Sequence, residues 1–441
     1  MGRTGKKIAL LAFLCALLGT AAGCLFNAPV SELYALPQMP VQYQELESQI
    51  NALVAAGAEY AAPISGSNLQ PVQMVDLDGD GAEEALIFMR RSAEENPLKI
   101  YIFRLMDGSY RQAALLEGSG TAIYSISYAD LNGDGIQEML VGWRAGAENP
   151  ALTVYRLRGS TPELLLSTTY SRYVFDSQGR GFVLLRSGPE ERCMAESYEM
   201  TENGTLQVTS AAYLSCTAAE LAGGRVIFGS LQEEVPALFV VSVSADSSEA
   251  MTDVLRWGED GLHNVTMSGA TGHTTENHPF RGLFPADING DGVTELPVPE
   301  EAEEPGSNSG LVDWLSFDER GRSETAAQTY HDRSDGWYLT IPAQWRDELV
   351  IFRSETSGYD AQVTFFRRDG GEMTEFLRIF TFTGENRELR ASRDGRFRLR
   401  TQQNTVYAGE LLTGAAEMEL DEDGVRSLFS LIVTEWVSGE N

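Results

Sequence analysis

Three nine-residue segments place oxygen-bearing side chains at matched positions. They are Asp76-Leu77-Asp78-Gly79-Asp80-Gly81-Ala82-Glu83-Glu84, Asp130-Leu131-Asn132-Gly133-Asp134-Gly135-Ile136-Gln137-Glu138 and Asp287-Ile288-Asn289-Gly290-Asp291-Gly292-Val293-Thr294-Glu295. Carboxylates or an amide occupy positions 1, 3, 5 and 9, and a glycine at position 6 permits the left-handed turn that brings them onto one hard cation, which reads as calcium. An EF-hand would run into a helix and close on an acid at position 12. Here position 12 is Ile87, Val141 or Val298, and the first two loops continue into apolar runs of strand length, Ala85–Met89 and Met139–Trp143. The loops therefore sit between strands. A lone copy reads equally well as a solvated turn rich in Asp and Asn. Three copies sharing an acid at position 9, which turn chemistry does not require, favour the metal.

Other chemistry is sparse. The chain has four histidines and lacks a Gly-x-Ser-x-Gly elbow, a His-Glu-x-x-His zinc motif and a phosphate-binding glycine loop, so the sequence favours a protein that is not an enzyme. His273 and His278, with Glu276 between them, form the one local cluster suited to a transition metal or to acid–base work. Its plainer reading is a polar loop joining two strands. A glycosidase-like carboxylate pair could hide among 64 acids. Trp143, Trp314, Trp337, Trp345, Tyr155 and Tyr359 could line a binding surface, but strands bury aromatics routinely, and core packing is the better expectation.

The first residues address the chain for export. Arg3, Lys6 and Lys7 precede the apolar run Ile8–Leu18, and Ala21-Ala22-Gly23 leads to Cys24. Residues 1–23 read as a signal peptide whose apolar stretch is short for a membrane span. The segment resembles the bacterial lipoprotein type, which implies cleavage before Cys24, a lipid on that residue, and a location on the extracytoplasmic face of the cell membrane. An ordinary signal peptide with an incidental cysteine is the alternative. The mature body then keeps only Cys193 and Cys216, nearly symmetric about the turn Glu202-Asn203-Gly204. They suit either a cross-strand disulfide or two buried thiols.

Loss of Arg3, Lys6 and Lys7 takes the formal charge from −31 to −34. Nucleic acid is excluded as a partner, because phosphate binding needs a clustered basic face, whereas the body has one lysine, Lys99, and scattered arginines. The acidity suits a soluble surface that concentrates divalent cations.

The elements that must position the loops follow from periodicity. Residues 24–41, with Pro29, Pro37 and Pro40, read as a flexible tether. Residues 42–68 hold a helix, with Leu46, Ile50, Leu53 and Val54 on one face and Gly57 as its stop, and then a connector. From residue 69 short strands alternate with turns. Asp76 and Asp130 lie 54 residues apart, and Asp130 and Asp287 lie 157 apart, close to three such units. Degenerate starts fall at Phe175-Asp176, Gln232-Glu233-Glu234, Arg346-Asp347-Glu348 and Arg393-Asp394-Gly395, giving about seven units, with six as the other count.

Strands at 85–90, 98–105, 110–118 and 122–129 fill the first unit, with Asp107-Gly108 as a hairpin. Further hairpin signals occur at Glu259-Asp260-Gly261, Glu319-Arg320-Gly321 and Arg368-Asp369-Gly370. Four-stranded units at this period predict an all-β fold, a β-propeller over 69–411; a sandwich array or β-helix is the competing architecture. A ring closed by a shared blade would use residues 69–75 as the missing strand of the last blade. Glu300–Gly310 reads as a flexible loop. In the C-terminal segment, 412–441, Asp421-Glu422-Asp423 should start a helix carrying Val425, Leu428, Phe429, Ile432 and Val433.

Loops and period together resemble the FG-GAP or VCBS repeats of integrin alpha-subunit propellers and bacterial surface proteins over roughly residues 69–411. The resemblance implies about three calcium ions. They would be held by Asp76, Asp78, Asp80, Glu84 and the Ala82 carbonyl; by Asp130, Asn132, Asp134, Glu138 and the Ile136 carbonyl; and by Asp287, Asn289, Asp291, Glu295 and the Val293 carbonyl. Glutamate replaces the commoner aspartate at position 9, and the Phe-Gly and Gly-Ala-Pro flanks are absent. The expected function is an extracellular binding or adhesion scaffold for a protein or glycan, with an extracellular polysaccharide hydrolase or a structural module of an envelope complex as alternatives. The first loop, with four ligand carboxylates, should depend most on calcium. Wild-type protein should partition into detergent and incorporate labelled lipid, and Cys24→Ala should do neither; equal labelling of the two forms would refute the anchor.

Overall fold

The run Ala85-Leu86-Ile87-Phe88-Met89 is buried on both faces, every side chain at 0% exposure, and this double burial sets the architecture. In the computed structural model, the described residues are 41–144, 150–176, 181–201, 203–258, 261–300, 310–357, 360–393 and 395–432. The signal peptide, Cys24, nearly all of the tether, Tyr359, Val433 and most of the acidic run after Glu300 lie outside them. Among the described residues no helix is long and apolar enough to cross a membrane.

The strands form six antiparallel sheets in chain order. Sheet I pairs Val72–Val75, Glu84–Arg90, Leu98–Met106 and Ser109–Gly118, with Glu59–Tyr60 added at the far end of Glu84–Arg90. Sheet II runs Ala122–Ala129, Glu138–Arg144, Ala151–Arg158 and Thr161–Thr169, and sheet III Arg172–Phe175, Gly181–Ser187, Arg192–Met200 and Leu206–Thr217. Sheet IV holds Arg225–Ser230, Pro236–Val243, Glu249–Gly258 and Gly261–Asn264, with Asn277–Pro279 alongside. Sheet V comprises Leu296–Pro299, Leu311–Phe317, Ser323–Asp332 and Trp337–Thr340, joined by Phe429–Leu431. Sheet VI comprises Leu349–Ser357, Asp360–Asp369, Glu372–Phe382, Thr405–Leu411 and Arg396–Gln402.

Alternation along one strand of each sheet feeds two cores, since successive side chains point to opposite faces. Leu86 and Phe88 meet Met139, Val141 and Trp143 of sheet II, while Ala85, Ile87 and Met89 face the helix Val41–Ala55. Leu140 meets Phe182 and Leu184 of sheet III; Val183 and Leu185 meet Leu238 and Val240 of sheet IV; Ala237 and Phe239 meet Leu296 and Phe317 of sheet V. Tyr330, Trp337 and Leu339 of sheet V then pack on Val363, Phe365 and Ile379 of sheet VI. This is the face-to-face blade order expected of a propeller. Both ends of the series are capped: sheet I by Leu46 and Ile50 of the first helix, sheet VI by Ala391 of the helix Arg387–Ala391 against Phe380, Phe382, Val406 and Ala408. Among the described residues no core cluster joins sheet VI to sheet I.

Four sequence expectations change. Residues 122–129 open sheet II instead of finishing sheet I, and Val72–Val75 begins the first sheet instead of completing the last. The reason is that each of the first two loops is itself a hairpin, pairing Val75 with Glu84 and Ala129 with Glu138. The number of sheets is six, the lower of the two counts: the start at Arg393 leads into a hairpin that adds to sheet VI, because Leu377–Phe382 still has an open edge for Thr405–Leu411. The C-terminal helix is shorter than its apolar spacing suggests. It spans Glu422–Leu428, with Asp421 accepting the Gly424 N–H, and Phe429–Leu431 then turns into a strand on Trp337–Thr340.

Other expectations stand. The first helix buries Leu46 and Ile50, with Leu53 half-buried beside them, is followed by Gly57 at φ +92°, and departs from expectation only at Val54, which is exposed. Asp107 and Gly108 both take positive φ, as a two-residue type I′ hairpin requires. Trp143, Trp314, Trp337 and Trp345 are core residues, and Tyr155 is half-buried against the same core as Trp143. Ile50→Ala should lower stability by about 2–5 kcal/mol, because it uncovers the outer face of sheet I. Urea unfolding would check this, and a change below about 0.5 kcal/mol would show that the helix is not a cap.

Candidate calcium loops

Each loop is wired by its own acids before any cation is considered. The position 1 carboxylate gathers backbone N–H groups: Asp76 accepts from Gly79 and Gly81, Asp130 from Gly133, Asp134 and Gly135, and Asp287 from Gly290, Asp291 and Gly292. The position 5 carboxylate accepts the position 7 N–H in all three, at 2.8–2.9 Å. The chain can converge this tightly because the position 6 glycines lie at φ +87 to +88°. In the second and third loops the Asn132 and Asn289 amides also donate to Asp134 and Asp291.

The position 9 glutamate behaves differently. Glu84, Glu138 and Glu295 are all at 0% exposure, and each accepts the position 2 N–H through Oε2, from Leu77, Leu131 and Ile288 at 2.9–3.1 Å. That bond ties the end of the loop back to its beginning. Burial raises the pKa of all three above the usual carboxylate range, and Glu295, with Asp291 and Asp287 nearby, is pushed up to about 7.

What meets the second oxygen distinguishes the loops. Arg104 reaches Glu84 Oε1 at 3.2 Å and Asp78 at 2.5 Å, and Arg156 reaches Glu138 Oε1 at 2.6 Å and Asp134 at 3.4 Å. Glu295 Oε1 is buried with no hydrogen-bond partner. Sequence reading singled out none of these arginines. The signal that could have found them is their offset from the glutamate, 20 and 18 residues, which is one hairpin away.

Ligand-capable oxygens of Asp76, Asp78 and Glu84 lie within 4.8 Å of one another, the only such three-residue group of His, Cys, Asp or Glu among the described residues. Aspartate and glutamate oxygens with a backbone carbonyl form a hard donor set that suits calcium. The first two loops also touch: the Gln137 N–H donates to the Leu77 carbonyl at 2.9 Å, and a Cβ on Gly79 would lie 2.5 Å from the Gly135 carbonyl oxygen. Loop three docks in the same manner, its Thr294 N–H donating to Ser230 at the end of the first strand of sheet IV.

The His273–Glu276–His278 cluster is not assembled as a three-ligand site. His278 Nε2 lies 2.9 Å from Glu276, whose other oxygen accepts from Thr275, while His273 is exposed. Cys193 and Cys216 are buried free thiols in contact across neighbouring strands, with Cys193 at a bulge between Arg192 and Met194. The hydrogen bond from its partner lowers the pKa of Cys193, and the same contact, with burial, raises that of Cys216.

Comparison with known proteins gives one family: residues 76–141, spanning the first two loops and the strands between them, match the FG-GAP-like repeat. No curated protein matches the chain. Among solved structures, a Bacteroides fragilis protein assigned as a 6-phosphogluconolactonase is 12% identical over 66% of this chain and 80% of its own, with a TM-score of 0.23. A likeness at that score carries no argument.

Because Asp130 holds three backbone N–H groups, Asp130→Ala should cost about 1–2 kcal/mol even in excess chelator. Urea unfolding with and without chelator checks this, and a loss confined to calcium-containing buffer would mean that the carboxylate serves the ion alone.

Proposed function

Taking residues 76–141 as an FG-GAP-like repeat, we propose that this protein is an exported, lipid-anchored, calcium-binding scaffold that presents its sheets to an extracellular protein or glycan. The observation that carries the reading is the shared wiring of the three loops around a buried position 9 glutamate. Asp76, Asp78, Asp80, Glu84 and the Ala82 carbonyl, with their counterparts at Asp130, Asn132, Asp134, Ile136 and Glu138 and at Asp287, Asn289, Asp291, Val293 and Glu295, are the groups that would hold calcium. The ion would supply positive charge to carboxylates that burial holds in a medium of low dielectric. A loop that offers five oxygens to one ion leaves little open coordination for a substrate, which favours a structural ion over a catalytic one.

Such ions would stiffen the junctions between consecutive sheets, since the loops dock on one another or on the neighbouring sheet. Stiffness matters for recognition because a preorganised surface loses less entropy on binding. Export also gives the thiol pair a chemistry: in an oxidising compartment Cys193 and Cys216 would join across sheet III.

Calcium at about one hundred times its Kd should stabilise the fold by about 2.7 kcal/mol per site and raise the melting temperature. Unchanged melting in excess chelator would sink the calcium reading. The scaffold reading predicts saturable binding on a glycan or surface-protein array with no turnover; release of reducing ends from a bound polysaccharide would replace it with a hydrolase. For the thiols, intact mass without reductant should be about 2 Da below the reduced mass, and two alkylatable thiols in exported protein would exclude the bond.

A further inference from the structure

The three loops share their ligand positions but not their surroundings. Register explains the difference. Ala85 pairs with Phe103 and Met139 with Tyr155, so one step along each ladder Glu84 faces Arg104 and Glu138 faces Arg156. In sheet V, Leu296 pairs with Leu315, so Ser316 holds the corresponding place opposite Glu295. The Ser316 hydroxyl is engaged by Gln232 at 3.1 Å, and Glu295 Oε1 is left buried and unpartnered.

We infer that Arg104 and Arg156 are internal cations that clamp loops one and two in the absence of metal, and that loop three, lacking such an arginine, is the tight calcium site of the chain. This rests on the calcium reading above and deepens it. Charge balance puts loop two last, at a net −2 against −3 for loops one and three, and what separates loop three from loop one is the absence of a guanidinium on its ligand oxygens. Loop three carries three carboxylates, Asp287, Asp291 and Glu295, without a guanidinium. Loop two carries three, Asp130, Asp134 and Glu138, shared with Arg156. Loop one carries four, Asp76, Asp78, Asp80 and Glu84, shared with Arg104. An ion entering loop one or two must displace an arginine from ligand oxygens or share them with it, and each charge-assisted bond given up weakens binding. An ion entering loop three displaces no guanidinium and gives Glu295 Oε1 a partner, which is what a buried charge requires; Asp78 Oδ1 of loop one is likewise buried without a hydrogen-bond partner, but there Arg104 already stands on the ligand oxygens beside it. The expected order of affinity is loop three, then loop one, then loop two. This reverses the order drawn from carboxylate count alone, which put loop one first.

The test titrates calcium chloride calorimetrically into the full mature chain stripped with chelator, and follows melting in chelator, for wild type, Ser316→Arg and Arg156→Ser. Wild type should show one tight event followed by weaker ones. Ser316→Arg should weaken the tight event about tenfold or more while raising the melting temperature in chelator, because Glu295 gains a partner. Arg156→Ser should add a second tight event and lower the melting temperature in chelator. Should Ser316→Arg fail to fold, Arg156→Ser decides by itself. Calcium heat whose ranking is the same in all three proteins would overturn the hierarchy and leave the calcium reading intact. No calcium heat in any of them would remove both.

Discussion

A carboxylate that must sit in the interior governs much of this structure. The last residue of each loop is also the entry to a strand packed on both faces, so its side chain is carried inside whatever its charge. One oxygen is spent on the position 2 N–H, which closes the loop and fixes the strand after it against the strand before it. The other needs a cation or a proton, since an uncompensated buried charge costs several kcal/mol. In the first two sheets the neighbouring strand supplies the cation; in the fifth it does not.

Closing the loop in this way sets register, and register decides which face each apolar residue serves. A slip of one residue would turn Leu86 and Phe88 away from Met139 and Val141 and send Ala85, Ile87 and Met89 into their place. The alternation holds through five successive interfaces, each sheet acting as floor for one core and roof for the next. Such a series has two outer faces to cover. The chain meets this with the helix Val41–Ala55 at one end and Arg387–Ala391 at the other.

The loops are linked as well as local. Backbone bonds from position 8 tie loop two to loop one, through Gln137 and Leu77, and loop three to the strand end at Ser230. The close approach of Gly79 to the Gly135 carbonyl makes that junction intolerant of a side chain. Arginine ion pairs and packing between sheets therefore fall on the same short segments.

The sequence by itself determined whatever depends on residues near one another in the chain. The tight turn of each loop was legible from its position 6 glycine, though not the bonds its acids make to the backbone, and the hairpins at Asp107-Gly108 and Gly321 were legible because their turns need glycine or an Asx residue. The first helix was legible from the spacing of Leu46 and Ile50, and the all-β class from the strand-length runs that follow the loops. Tertiary structure alone decided how strands were divided among sheets. Both 85–90 and 122–129 read as strands, and only pairing across the loop assigns 122–129 to the second sheet. It also decided that the hairpin after Arg393 extends the sixth sheet, since an open strand edge leaves no mark in sequence. Above all it decided which glutamate has an arginine opposite it: Arg104, Arg156 and Ser316 differ in plain view, but a side chain's partner across a ladder is set by register, and register is a property of the folded sheet.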